Sequence, residues 1–520
     1  MNLLPTGSSR LSATRRQADL VRTAEETVDV LVVGLGVTGA GVALDAASRG
    51  LSVVAVDAHD LAFGTSRWSS KLVHGGLRYL ANGQVAVAQE SARERGVLMT
   101  RTAPHLTRPL PMVIPLTPDV SRGKTAITLG GLVAGDLLRA AAGTPVDLLP
   151  RPRRISAERT TALAPAVRRD GLRGGLLSYD GQLEDDARLV VALARTAAAY
   201  GARVLTRTAA LELTGGGATL EDRLTGERLT VRARAVVNAT GVWAGGLVPD
   251  LELRPSRGTH LVVRGSALPG TDVAVYAPVP DATSRFVFAL PQPDGLFYVG
   301  LTDEPADGPV PDVPEPTEPE IDFLLTTISG ALAAPLTRAD VVGAYAGHRP
   351  LLAAEGTTAD LSRRHAVLTS EDGVVTVVGG KLTTYRQMAE DTVDRVVALR
   401  DLAAGPVCTR DLPLVGAAPR RVLQGLHQPT RLVRRYGTEA GLVLEEATRL
   451  TGLSQPELLA PLAPTVPTCR AELLWGVTHE GALDVADLLE RRTRVGLVAE
   501  DRAAAESAAR EALTTTSVPG

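Results

Sequence analysis

Two short segments of this 520-residue chain crowd reactive side chains together. Ser69-Ser70-Lys71-Leu72-Val73-His74-Gly75-Gly76-Leu77-Arg78-Tyr79 crowds hydroxyls, cations, an imidazole and a phenol around a glycine pair. Val377-Val378-Gly379-Gly380-Lys381-Leu382-Thr383-Thr384-Tyr385-Arg386 sets a second glycine pair before a lysine and two threonines. Hydroxyls and uncovered backbone N–H groups hold phosphates or the polar edge of a ring, and an imidazole nearby accepts protons near neutrality. A third piece, Gly34-x-Gly36-x-x-Gly39, follows the apolar run Val28-Asp29-Val30-Leu31-Val32-Val33. In a dinucleotide turn the first glycine makes the tight bend, the second lets backbone approach a pyrophosphate, and the third packs the helix on the strand. Asp57 lies 23 residues after Gly34, where a carboxylate accepts hydrogen bonds from a ribose hydroxyl.

The fingerprint alone is weak evidence, but three glycine-rich segments converging on one dinucleotide point to a flavin. Ser69, Ser70, Lys71, His74, Gly75 and Gly76 are candidate cofactor contacts, with His74, Arg78 and Tyr79 directed at whatever lies over the ring. Arg234-Ala-Val-Val-Asn238-Ala-Thr240-Gly241 resembles the strand that returns under the adenosine half of FAD. Gly380, Lys381, Leu382 and Thr383 would start a helix whose N-terminus faces the flavin pyrimidine, where reduction develops negative charge. That geometry stabilises a reduced, anionic isoalloxazine and does nothing for nicotinamide.

These groups need a frame. Val28–Val33, a helix over Val37–Arg49 ended by Gly50, and Ser52–Val56 read as a β-α-β unit. Prolines at 104, 109, 111, 115 and 118 predict an extended or turn-rich excursion, and Pro305–Pro319 an acidic connection. His260–Arg264, Arg285–Leu290 and Gly295–Gly300 alternate as strands of an antiparallel substrate sheet. The predicted fold is α/β: a discontinuous Rossmann-like FAD-binding domain (28–100, 181–250, 341–404) with a substrate domain (101–180, 251–340). A mobile or helical tail (1–27) precedes them and a helical C-terminal domain (405–515) follows.

Net charge is only −3 and no basic tract exists, so nucleic acid is not an expected partner. Cys408 and Cys469 are too few for a disulfide framework, read as reduced cytosolic thiols, and no metal site is expected. Nothing approaches the roughly 20 apolar residues that span a bilayer. The nearest stretch, Ile127–Arg139, reads first as a buried helix and second as an interfacial segment lying on a membrane.

The chain resembles the FAD-dependent glycerol-3-phosphate dehydrogenases of bacteria from about Val28 to Leu497. The two glycine-pair segments carry the specificity, together with Gly347-His-Arg-Pro-Leu351, Gly300-Leu-Thr-Asp303, Tyr179-Asp-Gly-Gln-Leu-Glu-Asp-Asp-Ala-Arg188, His479-Glu-Gly-Ala-Leu-Asp484 and Arg491-Arg-Thr-Arg494. Two departures stand out: His348 where an apolar residue is usual, and Ala289-Leu-Pro291 for a common Ile-Pro-Trp. The resemblance implies a glutathione-reductase-like, glycine-oxidase-type fold with noncovalent FAD, oxidising sn-glycerol 3-phosphate to dihydroxyacetone phosphate. By family position Arg349 and Arg363 would clamp the phosphate, with Arg78, Tyr79 and Lys381 assisting, and His260 would be the general base, with His74 the second choice. Guanidinium forks suit phosphate oxygens, and an imidazole near neutrality suits the C2 hydroxyl proton. Electrons would pass to a membrane quinone from a cytoplasmic protein, peripheral on the inner face of the membrane; a homodimer is compatible. The alternatives are an oxidase using O2, an enzyme for another 2-hydroxy or amino acid, and a silent flavin-binding protein.

Overall fold

The computed structural model describes residues 7–76, 80, 83–248, 251–280, 285–352 and 364–517. At its centre Val28–Val33 pairs parallel with Val53–Val56 on one side and with Arg228–Asn238 on the other. Arg203–Leu205 and Val375–Gly379 extend the sheet as further parallel strands, and His365–Thr369 closes one edge antiparallel. Val30, Leu31, Val32 and Val33 are buried, which is why this strand is continuously apolar instead of alternating. Helices Val37–Ser48, Asp186–Ala199 and Tyr385–Arg400 cover one face with alanine-rich and valine-rich sides. Because four of these strands run the same way, Gly34, Asp57, Thr240 and Gly380 all emerge at one edge, where ligands of parallel α/β sheets bind.

A second, ten-stranded sheet runs from Glu304–Pro305 through Ser256–Arg264, Leu296–Gly300, Phe286–Pro291, Ala274–Pro278, Thr107–Pro115 and Gly175–Leu183 to Leu72–Val73. Val341–Arg349 pairs with Ser256–Arg264, and Arg153–Ile155 with Gly175–Leu183. The strands expected around His260, Phe288 and Tyr298 are present and antiparallel.

One expectation needs correcting and two are made definite. The proline-rich stretch contains a nine-residue strand, Thr107–Pro115, inside this sheet, antiparallel to Gly175–Leu183 and parallel to Ala274–Pro278. Its prolines at 109, 111 and 115 share one parity, so the missing N–H donors fall along one edge of the strand. Leu72–Val73 and Val341–Arg349, expected beside the cofactor fold, are strands of this second sheet. The N-terminal tail contains the helix Ala13–Glu25, capped by Ser12, the second of the two forms its sequence left open. Its buried Arg16 pairs with Asp222 at 2.5 Å and donates to the Thr206 carbonyl at 2.7 Å, which pins the helix to the first sheet.

The expectation of a buried helix at Ile127–Arg139 also fails. The helix Arg122–Ala141 forms, but only Leu132 and Arg139 are buried, and every exposed position from 126 to 141 is alanine, glycine or a larger apolar residue. Ile127 and Leu137 are 67% and 66% exposed. Beyond residue 407 the chain is helical as expected, with one hairpin, Pro461–Ala463 to Val466–Cys469, and a core around Trp475, Leu444 and Leu488.

Candidate active site

The glycine turn has the geometry its spacing implies. Gly34 has φ +99°, and a Cβ there would fall 2.6 Å from the Ala239 carbonyl; one on Gly39 would lie 1.8 Å from the Gly34 oxygen. Gly36 precedes the helix Val37–Ser48 without a side-chain cap of its own; Ser66 Oγ accepts the Val37 N–H at 2.9 Å, a residue the motif reading missed. Asp57 accepts the backbone N–H groups of Leu35 at 2.7 Å and His59 at 2.8 Å, so its carboxylate also fixes the turn. Burial pushes that carboxyl up to about 6 against the pull of these two donors. Each oxygen retains a lone pair for a ribose hydroxyl. The cradle therefore fits a dinucleotide: close-approach glycines, a helix N-terminus of twelve residues and an acceptor at one edge.

Several expected contacts are spent inside the protein. Lys71 is completely buried, and its ammonium donates to the Arg67 carbonyl at 2.6 Å and to Asp186 at 2.9 Å. Ser69 Oγ donates to the same Asp186 at 2.7 Å. These two side chains brace the segment and do not reach for a cofactor. Asn238 is buried, donating to the Ala244 carbonyl at 3.0 Å and accepting from Thr240 Oγ1 at 2.7 Å; it shapes the turn that brings Gly241 to φ +61°. Gly75 donates its N–H to Asp180, whose carboxylate pairs with Arg95 at 2.6 Å, while Gly76 has φ +80°. Gly379 and Gly380 have φ of +76° and +69° and turn the chain from Val375–Gly379 into the short helix Leu382–Thr384, where Thr383 is buried. Lys381, half-buried at that turn, donates to Ser91.

Above this edge lies one face of the second sheet. Strand alternation puts Ser256, Gly258 and His260 on it, opposite Arg349, Gly347 and Tyr345. Arg349 lies over Gly258, donating to Ser256 Oγ at 3.0 Å, the Thr302 carbonyl at 3.1 Å and Asp303 at 3.1 Å. His260 lies over Gly300, where a Cβ would fall 2.4 Å from the imidazole, and stacks on Tyr345 with centroids 4.7 Å apart. A Cβ on Gly347 would meet Trp68 at 2.7 Å. Glycine inside a strand marks such a close approach, and Gly300 and Gly347 head two of the segments that carry the family resemblance. The unusual His348 pairs with Arg257 on the opposite face and does not line this one.

His260 Nε2 is 2.9 Å from Ser70 Oγ, while Nδ1 is buried with no hydrogen-bond partner. Burial, then the charges of Lys71 and Arg349, hold the imidazole well below its ordinary value, so it does not titrate near neutrality as expected. His74 is half-buried just past Leu72–Val73. Arg78, Tyr79 and Arg363 lie outside the described residues.

Residues 29–386 match the model of the FAD-dependent oxidoreductases, and residues 407–516 that of the C-terminal domain of alpha-glycerophosphate oxidase. Glycerol-3-phosphate dehydrogenase 1 of Mycobacterium tuberculosis is 53% identical over 523 residues, covering 98% of this chain and 100% of that protein. The chain belongs to the family of FAD-dependent glycerol-3-phosphate dehydrogenases. A solved member from Bacillus halodurans, complexed with FAD, is 28% identical, covers 97% of this chain and 95% of its own, and aligns with a TM-score of 0.74. The L-alpha-glycerophosphate oxidase of Mycoplasma pneumoniae shares the fold at 19% identity and a TM-score of 0.55, covering 75% of this chain. Both sheets and the helical C-terminal region fall within the first of these solved likenesses.

Proposed function

We propose that this protein oxidises sn-glycerol 3-phosphate to dihydroxyacetone phosphate. The observation that carries the reading is the glycine-cleared sheet face on which Arg349 and His260 lie over adjoining strand positions, above an edge built for a dinucleotide. FAD, when bound, supplies the hydride acceptor. Arg349 would orient the phosphate through charge-assisted hydrogen bonds, its guanidinium already held by Asp303 and Thr302. Lys381, fixed at the helix start, and Arg78, Tyr79 and Arg363 would complete the anion site. The C2 hydroxyl proton would pass to His260 Nε2 by way of the Ser70 hydroxyl, because His260 is 1% exposed while Ser70, 2.9 Å from that nitrogen, is only half-buried. The burial of His260 favours a second reading for this step alone, in which the more exposed His74 takes the proton directly.

For the electrons, a membrane quinone is the proposed acceptor and the cytoplasmic side of the membrane the proposed location. No helix among the described residues is long and apolar enough to cross a membrane. The exposed apolar side of Arg122–Ala141, with Arg122 and Lys124 in its first turn, would rest on the bilayer surface. A homodimer remains compatible with this arrangement. Anaerobic mixing with sn-glycerol 3-phosphate should bleach the flavin, and a quinone analogue should restore it faster than O2. Flavin that stays oxidised removes the substrate; faster recovery with O2 makes the protein an oxidase.

A further inference from the structure

The paired arginines Arg491-Arg492 serve no step of the proposed reaction, yet both are buried, and both reach across from the C-terminal region to one carboxylate. Asp60 is fully buried and accepts from Arg491 Nε at 2.7 Å and from Arg492 Nη1 and Nη2 at 2.8 and 2.9 Å. It stands three residues past Asp57, in the loop that leaves the strand Val53–Val56. Two more arginines grip the ends of that loop. Arg67, donating to the Phe63 carbonyl at 2.8 Å, reaches Glu490 at 2.6 Å. Arg207 donates its N–H to the His59 carbonyl at 2.6 Å and its guanidinium to Asp487 at 2.7 Å and Asp484 at 2.5 Å.

The gripped loop holds the dinucleotide turn from both sides. Asp57 at its start binds the Leu35 N–H, and Ser66 near its end binds the Val37 N–H. Surface loops of this length are ordinarily mobile, and ordering one at the moment of binding costs affinity. A buried carboxylate between two guanidiniums fixes the loop beforehand, and removing one partner leaves an uncompensated buried charge.

We propose that residues 484–492 of the C-terminal region act as a clasp that holds the loop 57–67 in its cofactor-binding shape, so that FAD retention depends on the Asp60–Arg492 and Arg67–Glu490 pairs. Asp60 and Glu490 are positioning residues: they act on the cofactor through Asp57 and Ser66. The inference rests on FAD binding and is independent of the substrate.

The test uses the full-length protein, stripped of flavin and titrated with FAD by fluorescence, together with melting of the apo and holo forms. Asp60→Asn should weaken FAD binding by about 30-fold or more and Glu490→Gln by about 3- to 10-fold. Arg492→Lys should retain more affinity than Arg492→Met. The difference between holo and apo Tm should shrink in each weakened variant, whereas a merely structural role would lower both Tm values together and leave FAD affinity alone. Folded variants with FAD affinity within about twofold of the original would overturn the clasp. Should Asp60→Asn fail to fold, Glu490→Gln decides the matter, since its carboxylate is 30% exposed and tolerates an amide. FAD affinity is read without substrate, so a chain that binds FAD and ignores sn-glycerol 3-phosphate would leave this result standing.

Discussion

Arg349 lies across Gly258 so closely that a Cβ at 258 would fall 2.2 Å from Nη2. The missing side chain leaves room for the guanidinium, whose Nη2 donates to the Thr302 carbonyl and whose Nη1 donates to Asp303. Arg349→Ala should therefore lower kcat/KM for sn-glycerol 3-phosphate by about 30- to 1000-fold, the loss of one charge-assisted phosphate partner worth roughly 2–4 kcal/mol. Gly258→Ala should act in the same direction, by about tenfold, because the clash is with the flexible end of a side chain. FAD content should not change in either. Steady-state kinetics on flavin-replete protein checks both, and an unaltered kcat/KM in Arg349→Ala removes that residue from the phosphate site.

His260→Ala should slow flavin reduction by about 10²- to 10⁴-fold if His260 is the base. The pH profile tests the assignment independently. Only the neutral imidazole accepts a proton, so the rate falls as pH drops through the pKa of the base. With His260 held well below 6.5, that limb should lie on the acid side of the ordinary histidine range. Stopped-flow reduction is the measurement. A His260→Ala rate within about threefold of the original would assign the proton to His74.

The parts of this site that were legible in the sequence are those whose physics is local. Gly34, Gly36 and Gly39 declare a turn because only glycine tolerates a φ of +99° or a Cβ 1.8 Å from an oxygen, and that demand shows in spacing alone. Lys71 misled for the opposite reason: beside Ser69, Ser70 and His74 it looked like part of a binding segment, yet its partner, Asp186, lies 115 residues away. Distant pairing has no local signature. The same holds for Asp60, which an arginine pair more than four hundred residues later neutralises. The helix Arg122–Ala141 was legible as a helix, but whether its apolar side meets the core or the outside is decided by what packs on it. The substrate face was legible in principle, through Gly258, Gly300 and Gly347 at strand positions that would otherwise carry side chains.

Acid should destabilise the fold in part through His105, which is buried, has an unpartnered Nδ1, and is pushed down to about 3 by burial and then by the charge of Arg188. The sign follows from proton counting. Between about pH 6.5 and 3 the unfolded chain binds a proton here that the folded chain refuses, so stability is whole above 6.5 and drains as pH falls, by about 1.4 kcal/mol per pH unit. His105→Gln should flatten the stability curve over that window by up to this slope. Urea unfolding at a series of pH values reads it, and parallel curves for the two proteins would remove His105 as the cause.

Membrane contact is the remaining prediction, and it follows from a helix whose sequence promised burial and whose apolar side is uncovered. Ile127, Val133 and Leu137 are 67%, 46% and 66% exposed, and no charged residue interrupts the exposed side between 126 and 141. Resting such a face in the interfacial zone gains roughly 25 cal/mol for each Å2 of apolar surface removed from water, a gain that salt does not screen. The contribution of Arg122 and Lys124 to anionic headgroups is screened within about 10 Å at 0.1 M salt. The two sources therefore separate by ionic strength. The protein should float with anionic liposomes at low salt, float partly at high salt, and lose most flotation when Ile127 and Leu137 are both replaced by Ser. A double variant that floats as well as the original would place the contact elsewhere on the surface, and an original protein that stays at the bottom of the gradient at low salt would mean that the electron acceptor comes to it from solution.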